Sequence, residues 1–224
     1  MSGFLNKPKI LRGAVVEYGL SIPPLSVVFQ FNPEQLTRNR ALSYAAPDSA
    51  QDSLRDFHKQ HELDDIQALQ VVDVGEETIG FEIRLDATDK LDEGDAITGQ
   101  FGIAPQLSTL ELMVHPKEES LLGQALGSLL GSSGGFSFTR QPNPPLMLFV
   151  WGRSRVLPVN INSLNITEIL YSTDLTPTRA TVNVNLTVIE GKSPPYLYTK
   201  AMKEAMSALN LANITDIANV VIPG

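Results

Sequence analysis

Residues 181–188 alternate strictly between apolar and polar side chains, and this pattern constrains the fold more than any other. The apolar positions are Val182, Val184, Leu186 and Val188. Threonines and asparagines, all uncharged, fill the positions between them. A repeat of two residues is that of a β-strand, whose successive side chains point to opposite faces of a sheet. The segment therefore predicts a strand with one buried face and one polar, uncharged face.

Three further segments in the second and last thirds of the chain also predict strands. The first alternates again, with four large apolar residues on one face: Ile79, Phe81, Ile83 and Leu85. The segments "PLMLFVWG" and "RVLPVNINSLNITEILY" are rich in residues that favour strands. The tetrapeptides that begin at Val159 and Val182 are alike, which indicates neighbouring strands of one sheet.

The N-terminal part predicts two strands, around Ile10–Val16 and Ser26–Phe31. In the second strand Val27, Phe29 and Phe31 share one face, which we expect to be buried. The dipeptide Asn32-Pro33 then ends the strand, because proline has no N–H to donate and restricts the residue before it. The sequence turns basic directly afterwards.

Few helices are expected. The polar residues from about 45 to 75 read as an exposed insertion with one short helix. Residues 103–117 predict a helix that ends at His115-Pro116. Glycine and serine dominate residues 120–145, which we expect to form a loop or a segment that orders against a partner. After Pro195 the chain predicts an amphipathic helix with one apolar side: Met202, Ala205, Met206 and Leu209.

The charge is distributed unevenly along the chain. Fifteen carboxylates and four basic residues lie between Asp48 and Asp95, a net charge of −11, whereas the rest of the chain carries +3. The overall charge of −8 argues against a nucleic-acid-binding protein, which usually has a basic face. Two interpretations remain open: a solvated acidic surface, or a protein with unlike ends that stacks in a polar assembly.

No catalytic constellation is present. The serine of "GRSRV" has a glycine on only one of the two sides that a nucleophile elbow requires. The "GKS" at Gly191–Ser193 precedes two prolines, which prevent the helix of a phosphate-binding loop. With no cysteine, thiol catalysis and cysteine-ligated zinc are excluded. We therefore expect a structural or binding protein that is not an enzyme and needs no cofactor.

One metal hypothesis is considered. His58 and His61 are spaced to share a helix face, and Glu62, Asp64 and Asp65 follow closely. Two histidines with carboxylates can bind a metal. The competing interpretation, which we favour, is a chance accumulation of such residues in a polar segment.

Three segments together resemble the tube proteins of contractile injection systems, which include the tube-initiator or adaptor subunits of extracellular phage-tail-like particles. These segments are "FQFNPEQLTRNR", "FEIRLDAT" and "PPLMLFVWGRSRVLPVNINSLNITEILYSTDLTPTRATVNVNLTVIE". The resemblance extends from about Lys9 to Glu190. Many tube-initiator relatives continue into a LysM-like module, and we expect this chain to lack it because only about thirty residues follow Glu190.

The resemblance implies a mainly β (α+β) fold. Its core would be a phage-tail-tube-like β-barrel of two packed sheets, with a few helices and a C-terminal helix. Residues 1–195 would form the tail-tube-like domain, and residues 196–224 a C-terminal helical extension. The polar insertion of about 45–75 and the Gly-rich loop of about 120–145 would interrupt that domain.

The resemblance also implies a function. The chain would form a ring, expected to be a hexamer, that connects the baseplate hub or spike to the inner tube and initiates tube assembly. Its partners would be copies of itself and the neighbouring tube and hub proteins, with neither nucleic acid nor membrane insertion. The expected interface residues are Asn32, Pro33, Arg38, Trp151, Arg153 and Arg155. Trp151-Gly152 would end a central strand and leave both arginines free to meet an acidic neighbour.

Two alternatives remain. The chain could be the main tube-body subunit, or a stand-alone β-rich binding module with a metal near His58 and His61. The N-terminal residues contain no apolar run long enough for a signal peptide, and no transmembrane stretch is evident. We therefore expect synthesis and assembly in the cytoplasm, within a particle that is either retained or released.

Overall fold

The computed structural model describes residues 11–19, 24–47, 53–115 and 143–211. Within them are nine strands: β1 (Ala14–Glu17), β2 (Ser26–Val28), β3 (Leu36–Asn39), β4 (Leu42–Ala45), β5 (Val71–Val74), β6 (Thr78–Asp86), β7 (Met147–Trp151), β8 (Arg155–Tyr171) and β9 (Pro177–Val188). Seven strands form one antiparallel sheet in the order β2-β1-β7-β8-β9-β6-β3. The strands β4 and β5 form a separate two-stranded sheet.

Six helices occur in the same residues: α1 (Leu54–Gln60), α2 (Leu63–Leu69), α3 (Thr88–Asp92), α4 (Ala96–Phe101), α5 (Ala104–Val114) and α6 (Pro194–Leu211). The helices α5 and α6 confirm two of the predicted helices. The predicted polar insertion contains two short helices, where one was expected, and also contains strand β5. The predicted Gly-rich loop lies almost wholly outside the described residues, as does the part of the C-terminal extension beyond residue 211.

The alternating segments form the middle of the sheet, as predicted. The apolar residues of β6 and β9 are buried, and the polar residues between them face away from the core. The strands β8 and β9 pair with each other, which confirms that the two similar tetrapeptides lie on neighbouring strands. Burial of one face of each strand is the main source of stability here, since hydrophobic stabilisation follows the apolar area removed from water.

Aromatic contacts show that the large sheet is curled. In sheet order β2 is the first strand and β6 the sixth. At about 4.8 Å per strand, a flat sheet would separate them by roughly 24 Å. Yet the rings of Phe29, just after β2, and Phe81, on β6, have centroids only 5.4 Å apart. The sheet therefore curves into a half-barrel that brings its first and sixth strands together.

A single core fills this half-barrel. Leu107, Leu110 and Met113 of α5 are buried in the same apolar cluster as Phe149 and Leu157 of the sheet. The helix contacts β8 and β2. Where a second packed sheet was expected, this helix covers the core, and the other sheet within the described ranges is the small β4–β5 pair. The fold is thus mainly β with a few helices.

The prediction that Phe31 belongs to the core is wrong. Its side chain is 48% exposed, whereas Val27 and Phe29 are buried. The alternation stops because β2 ends at Val28 and the chain then bends. The bend is held by Asn32, whose Oδ1 accepts a hydrogen bond from the N–H of Gly13 and whose Nδ2 donates to the carbonyl of Leu11, both at 2.9 Å.

Gly13 provides a test of the aromatic packing. A Cβ atom at this position would lie 2.7 Å from the ring of Phe29 and 2.8 Å from that of Trp151. The variant Gly13→Ala should therefore lower the free energy of unfolding by about 1–3 kcal/mol, the usual cost of overpacking a core. Urea denaturation measures this change. The control is Gly80→Ala on β6, where a Cβ meets nothing within 4 Å. Equal stability of the two variants would contradict the packing described here.

Candidate functional site

The six residues predicted from the sequence lie in four different environments. Asn32 and Pro33 line a polar trough, Trp151 packs beside the core, and Arg38 and Arg155 lie near one buried carboxylate. Arg153 occupies the turn between β7 and β8. The structure therefore brings Arg38 close to Arg155, which pairs with Trp151 across β7 and β8, while Asn32 and Pro33 line the trough.

The polar trough has a volume of about 1100 Å³ and lies on the face of the sheet opposite the core. Its floor consists of paired residues on three neighbouring strands. Asn165 of β8 lies opposite Asn183 of β9, which lies opposite Glu82 of β6. The next pairs along the strands include Ser163 with Asn185. The part of the floor formed by β8 and β9 is therefore a surface of amide and hydroxyl groups, as predicted for β9, and β6 adds Glu82.

The segment of residues 31–35 forms one wall of the trough. Arg84 joins this wall to the floor, because its Nη1 lies 2.8 Å from Glu34 and its Nε lies 3.0 Å from Glu82. At one end Arg179 pairs with Asp86 at 2.6 Å. Burial opposes ionisation of Asp86, but its hydrogen bonds with Thr88 and Arg179 outweigh burial and hold its pKa below the ordinary value. The charged groups of the trough are thus largely paired within the chain.

Trp151 belongs to an aromatic cluster beside the core. Its ring stacks on that of Phe149, with centroids 6.0 Å apart, and lies 6.5 Å from that of Phe29. Gly152 follows with a φ of 67°, in the region that favours glycine, and permits the tight turn into β8. The carbonyl of Arg153 accepts a hydrogen bond of 2.6 Å from the hydroxyl of Tyr198, which ties this turn to α6.

Glu77 is the centre of a charged group that we call the cation cluster: Arg38, Arg40, Arg155 and Lys203, with Glu77 and Glu190. The Glu77 side chain is only 8% exposed. It lies 3.0 Å from Lys203 and 3.3 Å from Arg40, while Arg38 approaches to 3.9 Å. Arg40 also pairs with Glu190. Four basic side chains thus surround two carboxylates.

The environment of the cluster changes two pKa values. Burial opposes ionisation of Glu77, yet hydrogen bonds and charge from Lys203 and Arg40 outweigh it and hold the pKa of this carboxyl below its ordinary value. Burial also lowers the pKa of Arg155, and the nearby charge of Arg38 adds to that effect, while Glu77 partly opposes it. In the described chain Arg155 has no carboxylate within ion-pair distance, so its charge is the least compensated of the four.

A projecting segment, which we call the arm, consists of β4, α1, α2 and β5. It continues the β3–β6 pair beyond the main sheet, after a bend where the N–H of Gly75 donates to the carbonyl of Ala41 at 2.9 Å. The register places four apolar residues on one face of the β4–β5 ribbon: Leu42, Tyr44, Val72 and Val74. All four are exposed, by 43–52%. Ser43 and Asp73 lie on the opposite face.

The two histidines of the metal hypothesis lie on the arm. The Nε2 of His58 is 3.2 Å from the side-chain nitrogen of Gln70, and the Nδ1 of His61 is 2.9 Å from the carbonyl of Phe57. Over residues 11–19, 24–47, 53–115 and 143–211, no three histidine or carboxylate side chains form a group that could hold a metal ion. These histidines are therefore occupied in contacts within the arm.

No model of a known protein family matches the chain, and no curated protein matches it in sequence. Among the helices of the described residues, none combines the length and apolar character needed to cross a bilayer.

Several residues of these surfaces were missed by the sequence analysis. Four residues of the cation cluster come from separate parts of the chain: Glu77, Arg40, Glu190 and Lys203. The local sequence around each of them does not indicate a charged cluster. The arm was read as a polar insertion, although the segment around Val71–Val74 contains three valines. That short apolar run was the one signal that could have indicated the second strand of the arm.

Replacement of Glu77 tests the cation cluster through pH. The pKa of this carboxyl is lowered from 4.5 on folding, so its ionised form adds to stability above that pH. The contribution is lost as the pH falls through the lowered value of the folded state. Glu77→Gln should therefore reduce the free energy of unfolding by about 1–3 kcal/mol at neutral pH, and by less in acid.

Urea denaturation over a pH series measures this change, with Glu34→Gln as the control. Glu34 also pairs with an arginine, but its side chain is 75% exposed, so its loss should cost less. A Glu77→Gln variant whose stability follows that of the unaltered chain at every pH would contradict the role given to the cluster.

Proposed function

We propose that this chain is a non-enzymatic structural subunit of a contractile injection system. In this proposal it forms a ring that connects the baseplate hub or spike to the inner tube and initiates tube assembly. The observation that carries the proposal is the exposed apolar face of the arm: Leu42, Tyr44, Val72 and Val74. A contiguous apolar surface of this kind on a projecting ribbon favours contact with another chain.

The shape of the large sheet is consistent with ring formation. Its first and last strands, β2 and β3, have one side unpaired within the described chain, and the sheet is only half closed. Assembly of several half-barrels around an axis would cover such edges, which otherwise invite aggregation. The tail-tube-like fold and the hexameric ring rest on the resemblance of "FQFNPEQLTRNR" and the β7–β9 segment to tube proteins.

The trough supports a role in passage rather than in chemistry. Its floor is polar and, apart from Glu82, uncharged, and its ion pairs, Arg84 with Glu34 and Glu82 and Arg179 with Asp86, are satisfied within the chain. Such a wall would interact weakly with a polypeptide that moves past it. We propose that this face lines the lumen of the ring. The partners in this arrangement are other copies of the chain, the tube protein and the hub, with no nucleic acid and no membrane insertion.

Copy number distinguishes this proposal from its nearest alternatives. Quantitative mass spectrometry of particles purified by size from the native host should find about six copies per particle, which corresponds to one ring. A copy number close to that of the most abundant tube subunit would make the chain a tube-body protein instead. Absence from every large particle would overturn the proposal and leave the stand-alone binding module, for which the trough would be the binding surface.

The apolar face of the arm gives a direct test by mutation. Leu42→Asp places a charge on that face and should reduce incorporation into particles at least about tenfold, because a buried unpaired charge strongly disfavours an interface. Ser43→Asp, on the opposite face of the same strand, is the matched control and should be incorporated normally. Quantitative mass spectrometry of particles from each strain measures both. Equal incorporation of the two variants would contradict the proposal that the arm contacts another chain.

A further inference from the structure

The two ends of the central strands differ in charge. The cation cluster lies where β6 begins, next to Glu77. At the other end of β6, the chain enters α3 and α4, which we call the acidic end: Asp89, Asp92 and Glu93, with Ile97 and Phe101. The nine residues of β6 separate the two by about 26 Å. The two ends of β6 therefore carry local groups of opposite charge, a basic one around Glu77 and an acidic one on α3.

The cation cluster has more basic side chains than carboxylates. Glu77 is shared by three basic side chains, and Glu190 pairs with one of them. Arg155 is half-buried beside Arg38 and has no ion-pair partner within the described ranges. A partly desolvated guanidinium next to a like charge is unfavourable unless a carboxylate is supplied. A groove of about 440 Å³ beside Arg38 and Arg40 offers room for such a group.

The acidic end has the opposite imbalance. Asp89, Asp92 and Glu93 are exposed, and Lys90 is the basic residue of the same helix. None of the three carboxylates has an ion pair in the part of the chain that the structure describes. Two large apolar residues of α4 are exposed next to them, Ile97 by 65% and Phe101 by 48%. An apolar centre with a charged rim is typical of a protein interface.

Exposed apolar residues also accompany the cation cluster. Thr199 anchors α6 on the sheet, because its hydroxyl bonds with both the N–H and the carbonyl of Val156. Met202 continues the same side of the helix and is half-buried. Farther along that side, Met206 and Leu209 are 52% and 64% exposed. The helix therefore presents an uncovered apolar stripe beside Lys203, which pairs with Glu77.

We propose that copies of this chain associate head to tail, with the acidic end of one copy on the cation cluster of the next. Carboxylates of Asp92 and Glu93 would compensate Arg38 and Arg155, while Ile97 and Phe101 would cover Met206 and Leu209. Two different surfaces are joined in this contact, so it generates a ring where its rotation closes and a filament where it does not. This inference rests on the proposed function, because it supplies the contact through which a ring subunit would bind the next copy.

Charge reversal in two separate variants tests the contact in the purified full-length chain. Arg38→Glu/Arg155→Glu makes the basic face acidic, and Asp92→Lys/Glu93→Lys makes the acidic face basic. Each variant alone should raise the dissociation constant of self-association at least about tenfold, measured by sedimentation velocity at low salt. An equal mixture of the two should associate again, because each reversed face meets a complementary face on the other variant.

Controls separate the specific contact from net charge and from misfolding. Arg55→Glu/Lys59→Glu reverses two exposed charges of α1 and should leave association unchanged. Circular dichroism reports whether each variant folds, and Arg155→Gln replaces the glutamate variant if that one unfolds. Association of the unaltered chain should also weaken as salt is added.

A folded pair of variants that fails to associate on mixing would overturn the contact, and so would an unaltered chain that remains monomeric at its highest soluble concentration. These outcomes are independent of the particle experiment. If particles contain about one ring of the chain and both charge-reversed variants are incorporated normally, the contact is overturned and the proposed function stands. If the mixed variants associate again but the chain is absent from particles, the contact is supported and the proposed role in an injection system is overturned.

Discussion

The contact between Phe29 and Phe81 determines the shape on which the candidate surfaces depend. It joins the first and sixth strands of the sheet in sheet order, and only a strongly curled sheet permits this. The same ring of Phe29 lies against Gly13 and near Trp151, so the N-terminal strands are held over the core by aromatic packing. Asn32 then turns the chain out of the core and carries it to the wall of the trough.

The curl also explains how one sheet provides several distinct surfaces. Its core face is closed by α5, which leaves the opposite face of β6, β8 and β9 as a polar trough. Strand β6 begins at the cation cluster and ends at the acidic end, so these two groups of unlike charge lie at opposite ends of the sheet. The arm extends from the β3–β6 pair and keeps its apolar face away from the core. The apolar core therefore shares no residue with the exposed apolar face of the arm, the cation cluster or the acidic end.

The sequence predicts those elements in which burial follows a local pattern. Strands β6 and β9 have one buried and one polar face, and the repeat of two residues makes both visible without any knowledge of the fold. Phe31 shows the limit of that reasoning, because the alternation continues through it in the sequence. The bend is set instead by the side chain of Asn32, which accepts a hydrogen bond from the backbone N–H of Gly13, 19 residues earlier in the chain. The arm was missed for a related reason: all eight residues of β4 and β5 are exposed, so burial imposes no alternation.

The cation cluster could not be predicted, since its members are distant in the sequence and meet only in the fold. Arg153 and Arg155 illustrate this, because only Ser154 lies between them and the sequence analysis expected the same role for both. The turn at Gly152 leaves Arg153 exposed on the surface, whereas Arg155 begins β8 and is carried next to Arg38. Only the pairing of strands decides which of the two arginines joins the cluster.

The edges of the large sheet show how association can be restricted to chosen surfaces. An unpaired strand edge is a template for indiscriminate pairing, and short or charged edges reduce that risk. Here β2 has three residues and β3 has four, and β3 contains Arg38. The same arginine that discourages pairing of bare edges contributes to the cation cluster, where a carboxylate compensates it. If copies associate as proposed, the charge of Arg38 both protects the β3 edge and favours an acidic partner over an unpaired strand.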